Sequence, residues 1–161
     1  MEIIEVKTPA ELDQIKDLIR EYYEFLRTDH DLDISYQGIE AELASLPGKY
    51  APPEGRLLLA FLSGRAVGCA LLRPLDPGVC ELKRMYVLPE ARGQGAGRAL
   101  ALYLIQEAKA IGYQRMRLDT GTFLSAALKL YESLGFQPIA PYNEVPENLR
   151  QVAVFMEISL A

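Results

Sequence analysis

The chain has 161 residues, half of them apolar and about a quarter charged, enough for one domain spanning residues 1–161 with a full hydrophobic core. Its 17 basic and 22 acidic residues leave a net charge of −5, which argues against a general nucleic-acid binder but leaves room for a local basic cradle. The first residues lack the basic and apolar segments of a signal peptide, and no apolar run reaches the roughly 18 residues of a membrane span, so a cytoplasmic protein without a membrane partner is expected.

Residues 2–6 alternate weakly and read as a first strand. Thr8-Pro9-Ala10-Glu11 supplies an N-cap, a proline at the first helical position and an acid at N3. Leu12, Ile15, Ile19, Tyr22 and Leu26 follow at helical spacing, so a helix is expected over 9–27. Thr28 to Asp33 reads as a polar loop with a solvated His30, and a second helix is expected over 36–45. Pro47-Gly48 and Pro52-Pro53-Glu54-Gly55 break the chain. Strands are expected at 56–62, 66–73 and 79–87, turning at Ser63-Gly64-Arg65 and Asp76-Pro77-Gly78. That meander puts Cys80 opposite Arg73 or Pro74 and Cys69 near Met85, so the two cysteines read as separate buried thiols.

The pattern changes after Pro89. Leu100, Leu104, Ala108 and Ile111 mark a helix from 97 to 111 with Gly112 as its C-cap. A strand at 115–120, a helix through Leu124, Ala127, Leu128, Tyr131 and Leu134, and strands at 136–140 and 151–158 complete the chain. The order βααβββαβαββ predicts an α/β fold, a mixed and mostly antiparallel sheet with helices on both faces.

The chemistry concentrates in Arg92-Gly93-Gln94-Gly95-Ala96-Gly97-Arg98, a glycine turn between a strand and a helix. A helix start has unsatisfied N–H groups and a partial positive charge, and glycines let a ligand approach them closely, so the unit is an anion site. Arg92 and Arg98 would add charge-assisted bonds to phosphate. The P-loop spacing is absent, and the Rossmann count fails from Gly93 (ending on Arg98) and from Gly95 (ending on Leu100).

The turn does fit R/Q-x-x-G-x-G/A as Arg92, Gly95 and Gly97. It follows Met85-Tyr86-Val87-Leu88-Pro89 and precedes Leu130-Tyr131-Glu132-Ser133-Leu134-Gly135-Phe136 at the customary distance. On these segments the chain resembles the GNAT superfamily of N-acetyltransferases, most strongly from Glu81 to Phe136. The resemblance implies acetyl-CoA as acetyl donor, its pyrophosphate on the backbone of Arg92, Gly93, Gln94, Gly95, Ala96, Gly97 and Arg98. It implies that the pantetheine arm pairs with Met85, Tyr86 and Val87, where an N–H would polarise the thioester carbonyl. It implies that Tyr131 protonates the departing thiolate, and that Glu81, eleven residues before Arg92, serves as general base toward the amine. One departure is Leu124, where the family often has an asparagine contacting the coenzyme; the exposed-helix reading is preferred for Lys129.

For the acceptor, the fold implied by the resemblance draws on Tyr22, Tyr23, Phe25 and Tyr36, on Asp29, Asp31 and Asp33, and on Tyr142, Asn143 and Glu144. Aromatic walls with carboxylates suit a cationic amine. A small-molecule amine is preferred to a peptide or protein amine, since no extended peptide-binding segment is visible. No metal site or nucleophilic triad is expected. A non-catalytic acyl-CoA-binding module and a nucleotide-binding domain are the rival classes, and the resemblance leaves a homodimer open.

Overall fold

In the computed structural model, which describes residues 1–32 and 38–161, the expected meander is the spine of a seven-stranded sheet. Its strands are β1 (Glu2–Glu5), β2 (Arg56–Leu62), β3 (Arg65–Asp76), β4 (Val79–Val87), β5 (Arg115–Gly121), β6 (Gln137–Ile139) and β7 (Ala153–Ser159), in spatial order β1-β2-β3-β4-β5-β7-β6. All neighbours are antiparallel except β4 and β5, which the helix α3 (Ala96–Ile111) connects as a parallel crossover. The helices α1 (Pro9–His30), α2 (Ile39–Ser45) and α4 (Ser125–Leu134) complete the fold. The architecture is the mixed, mostly antiparallel sheet flanked by helices that the element order predicted.

Local signals explain the helix ends. Thr8 accepts from the Glu11 N–H while the Glu11 carboxylate accepts from the Thr8 N–H, a reciprocal cap that fixes the start of α1. The other end departs from expectation: α1 continues through Thr28, Asp29 and His30 and stops only at Asp31, whose φ is 52°. His30 is therefore not a loop residue. Its ring sits 5.0 Å from Phe25 and 4.8 Å from Phe123, and those contacts favour an extra turn over a solvated loop. For α2, Gly38 in a left-handed conformation starts the helix at Ile39; the expected residues 36 and 37 lie outside the described residues.

The two large helices cover opposite faces. A Cβ on Gly68 would meet Leu100 of α3, whereas the Tyr86 ring lies 5.3 Å from Tyr22 of α1. Cys69 pairs with Tyr86 and shares its face, as side chains alternate along a strand. Leu58, Leu71, Leu72, Leu100, Leu104 and Met116 are among the fully buried residues that fill the core. Cys80 lies opposite Pro74 and Cys69 opposite Tyr86, one residue beyond the expected Met85; both thiols are free and buried. The one-residue difference comes from a bulge in β4.

Candidate active site

That bulge is where the site begins. Between the pairs Cys69↔Tyr86 and Leu71↔Lys83, one residue of β3 (Ala70) opposes two of β4, Arg84 and Met85. Arg84 takes a φ of 54°, which bends the strand and re-aims Met85 to Val87. β4 and β5 pair only at Val79↔Arg115, Cys80↔Met116 and Glu81↔Arg117. Beyond Glu81 the strands diverge, and a cleft of about 620 Å³ opens between them. Met85, Tyr86 and Val87 line one wall, with Asp119, Thr120 and Gly121 across from them. The edge of β4 in this gap has no strand partner among the described residues.

The glycine turn closes one end of the cleft. Gly93 and Gly95 have φ of 79° and 86°, which L side chains adopt only under strain. Gly95 is the N-cap of α3, and no side chain among the described residues caps the helix, so its first N–H groups lack a capping partner there. Arg92, Gly93, Gly95, Ala96, Gly97 and Arg98 line the cleft, while Gln94 is exposed and outside the lining. The arginines are already oriented. The Arg92 Nε donates to the Val87 carbonyl at 3.0 Å, and its guanidinium stacks 4.7 Å from the Phe25 ring centre. An Arg98 N–H donates to Ser133 Oγ at 3.1 Å, tying α3 to α4.

Tyr131 is both a core residue and a residue of the cleft. Its ring is buried edge-on to Phe136 at 5.6 Å, yet it also lines the cleft. Burial, with Tyr22 and Asp119 nearby, pushes its phenol well above the usual range. Leu124 lines the cleft with an apolar side chain, and Lys129 is exposed.

Glu81 is placed differently from a cleft base. It is fully buried, its Oε1 lies 2.8 Å from an Arg73 guanidinium nitrogen, and its Oε2 accepts from the Tyr142 hydroxyl at 2.6 Å. It does not line the cleft. The reason is register: Arg73 and Glu81 are cross-strand partners on one face, and Tyr142 covers them. The expected acceptor residues also divide. Tyr22 and Phe25 line the cleft; Tyr23, Asp29, Asp31, Tyr142, Asn143 and Glu144 do not; Asp33 and Tyr36 lie outside the described residues. Instead Leu26, His30 and Leu32 from the end of α1, and Val145, Leu149 and Val152 from the β6–β7 connection, form the far walls. Sequence reasoning passed over Lys83 and Asp119, both in the lining. The available signal was ionic residues at alternate positions of otherwise apolar strands.

A glycine turn at a helix start, an open strand edge and a buried phenol share one cleft, and comparison with known proteins identifies the family. Residues 12–136 match the profile of the acetyltransferase (GNAT) family. An uncharacterised N-acetyltransferase of Schizosaccharomyces pombe is 38% identical over 160 residues, covering 97% of this chain and 93% of that one. A GNAT-family acetyltransferase from Staphylococcus aureus superimposes with a TM-score of 0.78 over 99% of both chains at 21% identity. An aminoglycoside 6'-N-acetyltransferase solved with coenzyme A gives 0.69 at 21% identity, over 100% of this chain and 98% of that one. The chain belongs to the GNAT family of acetyltransferases.

Proposed function

We propose that the protein transfers the acetyl group of acetyl-CoA to the primary amine of a small molecule, by direct attack in a ternary complex. One observation supports this above the rest: a single cleft joins the uncapped start of α3, the unpaired edge of β4 and the Tyr131 phenol. The residues fit the donor. Open space around Gly93 and Gly95 admits a pyrophosphate to the N–H groups of Arg92 to Arg98, where the helix start favours negative charge. The strand edge at Met85 to Val87 can pair with an extended, amide-bearing arm as a neighbouring strand would. An N–H on this edge can stabilise the oxyanion at the thioester carbon.

In the reaction the amine nitrogen bonds to the acetyl carbon, the carbon–sulfur bond breaks, the nitrogen gives up its extra proton and the sulfur gains one. Tyr131 supplies the proton to sulfur, or holds the thiolate through its O–H. Glu81, expected as base, is held by Arg73 and Tyr142 outside the cleft lining, so the amine proton would reach it through water. The acceptor end, with walls from α1 and the β6–β7 connection, supports a small acceptor over an extended peptide.

Thermal melting with saturating acetyl-CoA, ATP and NAD tests the donor: at 100 times Kd the stabilisation is about 2.7 kcal/mol, and only acetyl-CoA should produce it. Thiol release across an amine library tests the transfer. Stabilisation with no thiol release from any amine would leave a coenzyme-binding module and overturn the proposal.

A further inference from the structure

We infer that the acceptor is a zwitterion, a primary amine with a carboxylate a few bonds from the nitrogen, held between Lys83 and Asp119. This rests on the acetyl-transfer reading above and names its substrate class.

The α1-facing side of β4 and β5 changes character along its length. Under α1 it carries Tyr86 and its aromatic neighbours. Beyond α1 it carries Glu81 and Lys83 on β4, and Arg117 and Asp119 on β5. Most of these charges are spoken for by short contacts. Arg73 meets Glu81 at 2.8 Å, Arg117 meets Glu157 at 2.7 Å, and Arg84 of the bulge meets Glu42 at 3.0 Å. Lys83 and Asp119 differ. They face each other across the diverging strands at 3.5 Å, and both line the cleft. Lys83 is 8% exposed and Asp119 is 26% exposed. Asp119 is also the only acidic residue among the described lining residues.

Asp119 shares the cleft lining with Tyr22 and Tyr131. Its charge, after burial, helps raise the phenols of Tyr22 and Tyr131, one on each side of the cleft. An incoming ammonium is drawn to this carboxylate, which can then accept its proton. A plain cationic amine, however, would set two ammonium groups against one carboxylate, because Lys83 is buried and already paired with Asp119. That arrangement is repulsive. A neutral amine would have to displace an existing ion pair with nothing in exchange. An amine bearing its own carboxylate keeps the count balanced: its ammonium takes Asp119 and its carboxylate takes Lys83. The cleft beyond, lined by Leu26, Phe123, Val145 and Leu149, would receive an apolar side chain.

The test is thiol release from acetyl-CoA with matched triads: each α-amino acid, its carboxamide, and the amine lacking the carboxyl group. For the best amino acid, kcat/KM should exceed that of its carboxamide and its decarboxylated amine by roughly tenfold or more. Lys83→Gln should raise KM for the amino acid and erase the preference, while acetyl-CoA still stabilises the variant against heat. Equal or better turnover of carboxamides or diamines overturns the inference, as does an unchanged preference in Lys83→Gln. The wild-type comparison stands even if that variant fails to fold. Absence of stabilisation by acetyl-CoA, or of thiol release with every amine, defeats the acetyl-transfer reading itself and this inference with it; turnover without a zwitterion preference defeats this inference alone.

Discussion

Replacing Tyr131 by phenylalanine separates a core tyrosine from a chemical one. The ring packs edge-on to Phe136 and is 5% exposed, so phenylalanine keeps the packing. The hydroxyl makes no hydrogen bond to a described residue and points its polarity at the cleft. Its loss should therefore change stability by less than about 1 kcal/mol, a shift of about 2–4 °C in Tm for a chain of this size. Its catalytic loss is of another order: removing a positioned proton donor lowers kcat by roughly 10²–10⁴, or about 2.7–5.5 kcal/mol on the barrier. Thiol release at saturating substrates gives kcat, and melting with and without acetyl-CoA gives stability and donor binding. A kcat within about threefold of wild type would refute the assignment. A large fall in Tm with no acetyl-CoA stabilisation would show instead that the hydroxyl holds the fold.

Gly95→Ala and Gly97→Ala should differ. At φ 86° a Cβ on residue 95 costs about 1–2 kcal/mol and distorts the turn, so acetyl-CoA stabilisation should be lost with it. At residue 97 the Cβ meets only Leu130 at 3.4 Å, an ordinary contact, so the helix should gain up to about 1 kcal/mol and still bind acetyl-CoA; equal effects in a melt would refute this. Glu42→Leu removes a carboxylate that meets buried Arg84 and accepts from the Tyr50 hydroxyl at 2.8 Å, and should cost about 1–3 kcal/mol by urea denaturation. An alkaline limit is also expected. Burial raises Cys69 and Cys80 from 9 to about 12, and Tyr22 from 10 to about 12. These groups favour folding below their unfolded values. Above pH 9 for the thiols and 10 for the phenol, the unfolded chain releases protons first, so stability falls by about 1.4 kcal/mol per pH unit for each group until the folded values near 12. Urea melts at pH 8 and 10.5 showing equal stability would contradict this.

What the sequence revealed depended on how local the cause was. β2 and β4 fell at their expected residues because the turns at Ser63-Gly64 and Asp76-Pro77-Gly78 are local chemistry. The Thr8–Glu11 cap and the glycine turn were legible for the same reason. The extra turn of α1 was hidden because His30 is held by Phe123, 93 positions away in sequence, a contact no window contains. The register of β4 slipped by one at Arg84, since a non-glycine residue at positive φ leaves no compositional trace. Glu81 has a spacing that points to chemistry, yet Tyr142, 61 residues later, folds over it. Lys83 and Asp119 carry no local sign of a site, because only the parting of β4 and β5 sets them in a cleft.

That parting has a consequence for the order of events. Among the described residues three ladder pairs join β4 to β5, so the strand pairing between the β1–β4 plate and the β5-β7-β6 plate is a short seam. Lys83 stands on one plate and Asp119 on the other, and their spacing is the opening angle of that seam expressed in ångströms. An extended arm laid along Met85 to Val87 would act as a splint between the plates and set that angle before any amine arrives. The donor would thus finish building the acceptor's seat, and a compulsory order of binding, donor first, would follow from the way the sheet is sewn.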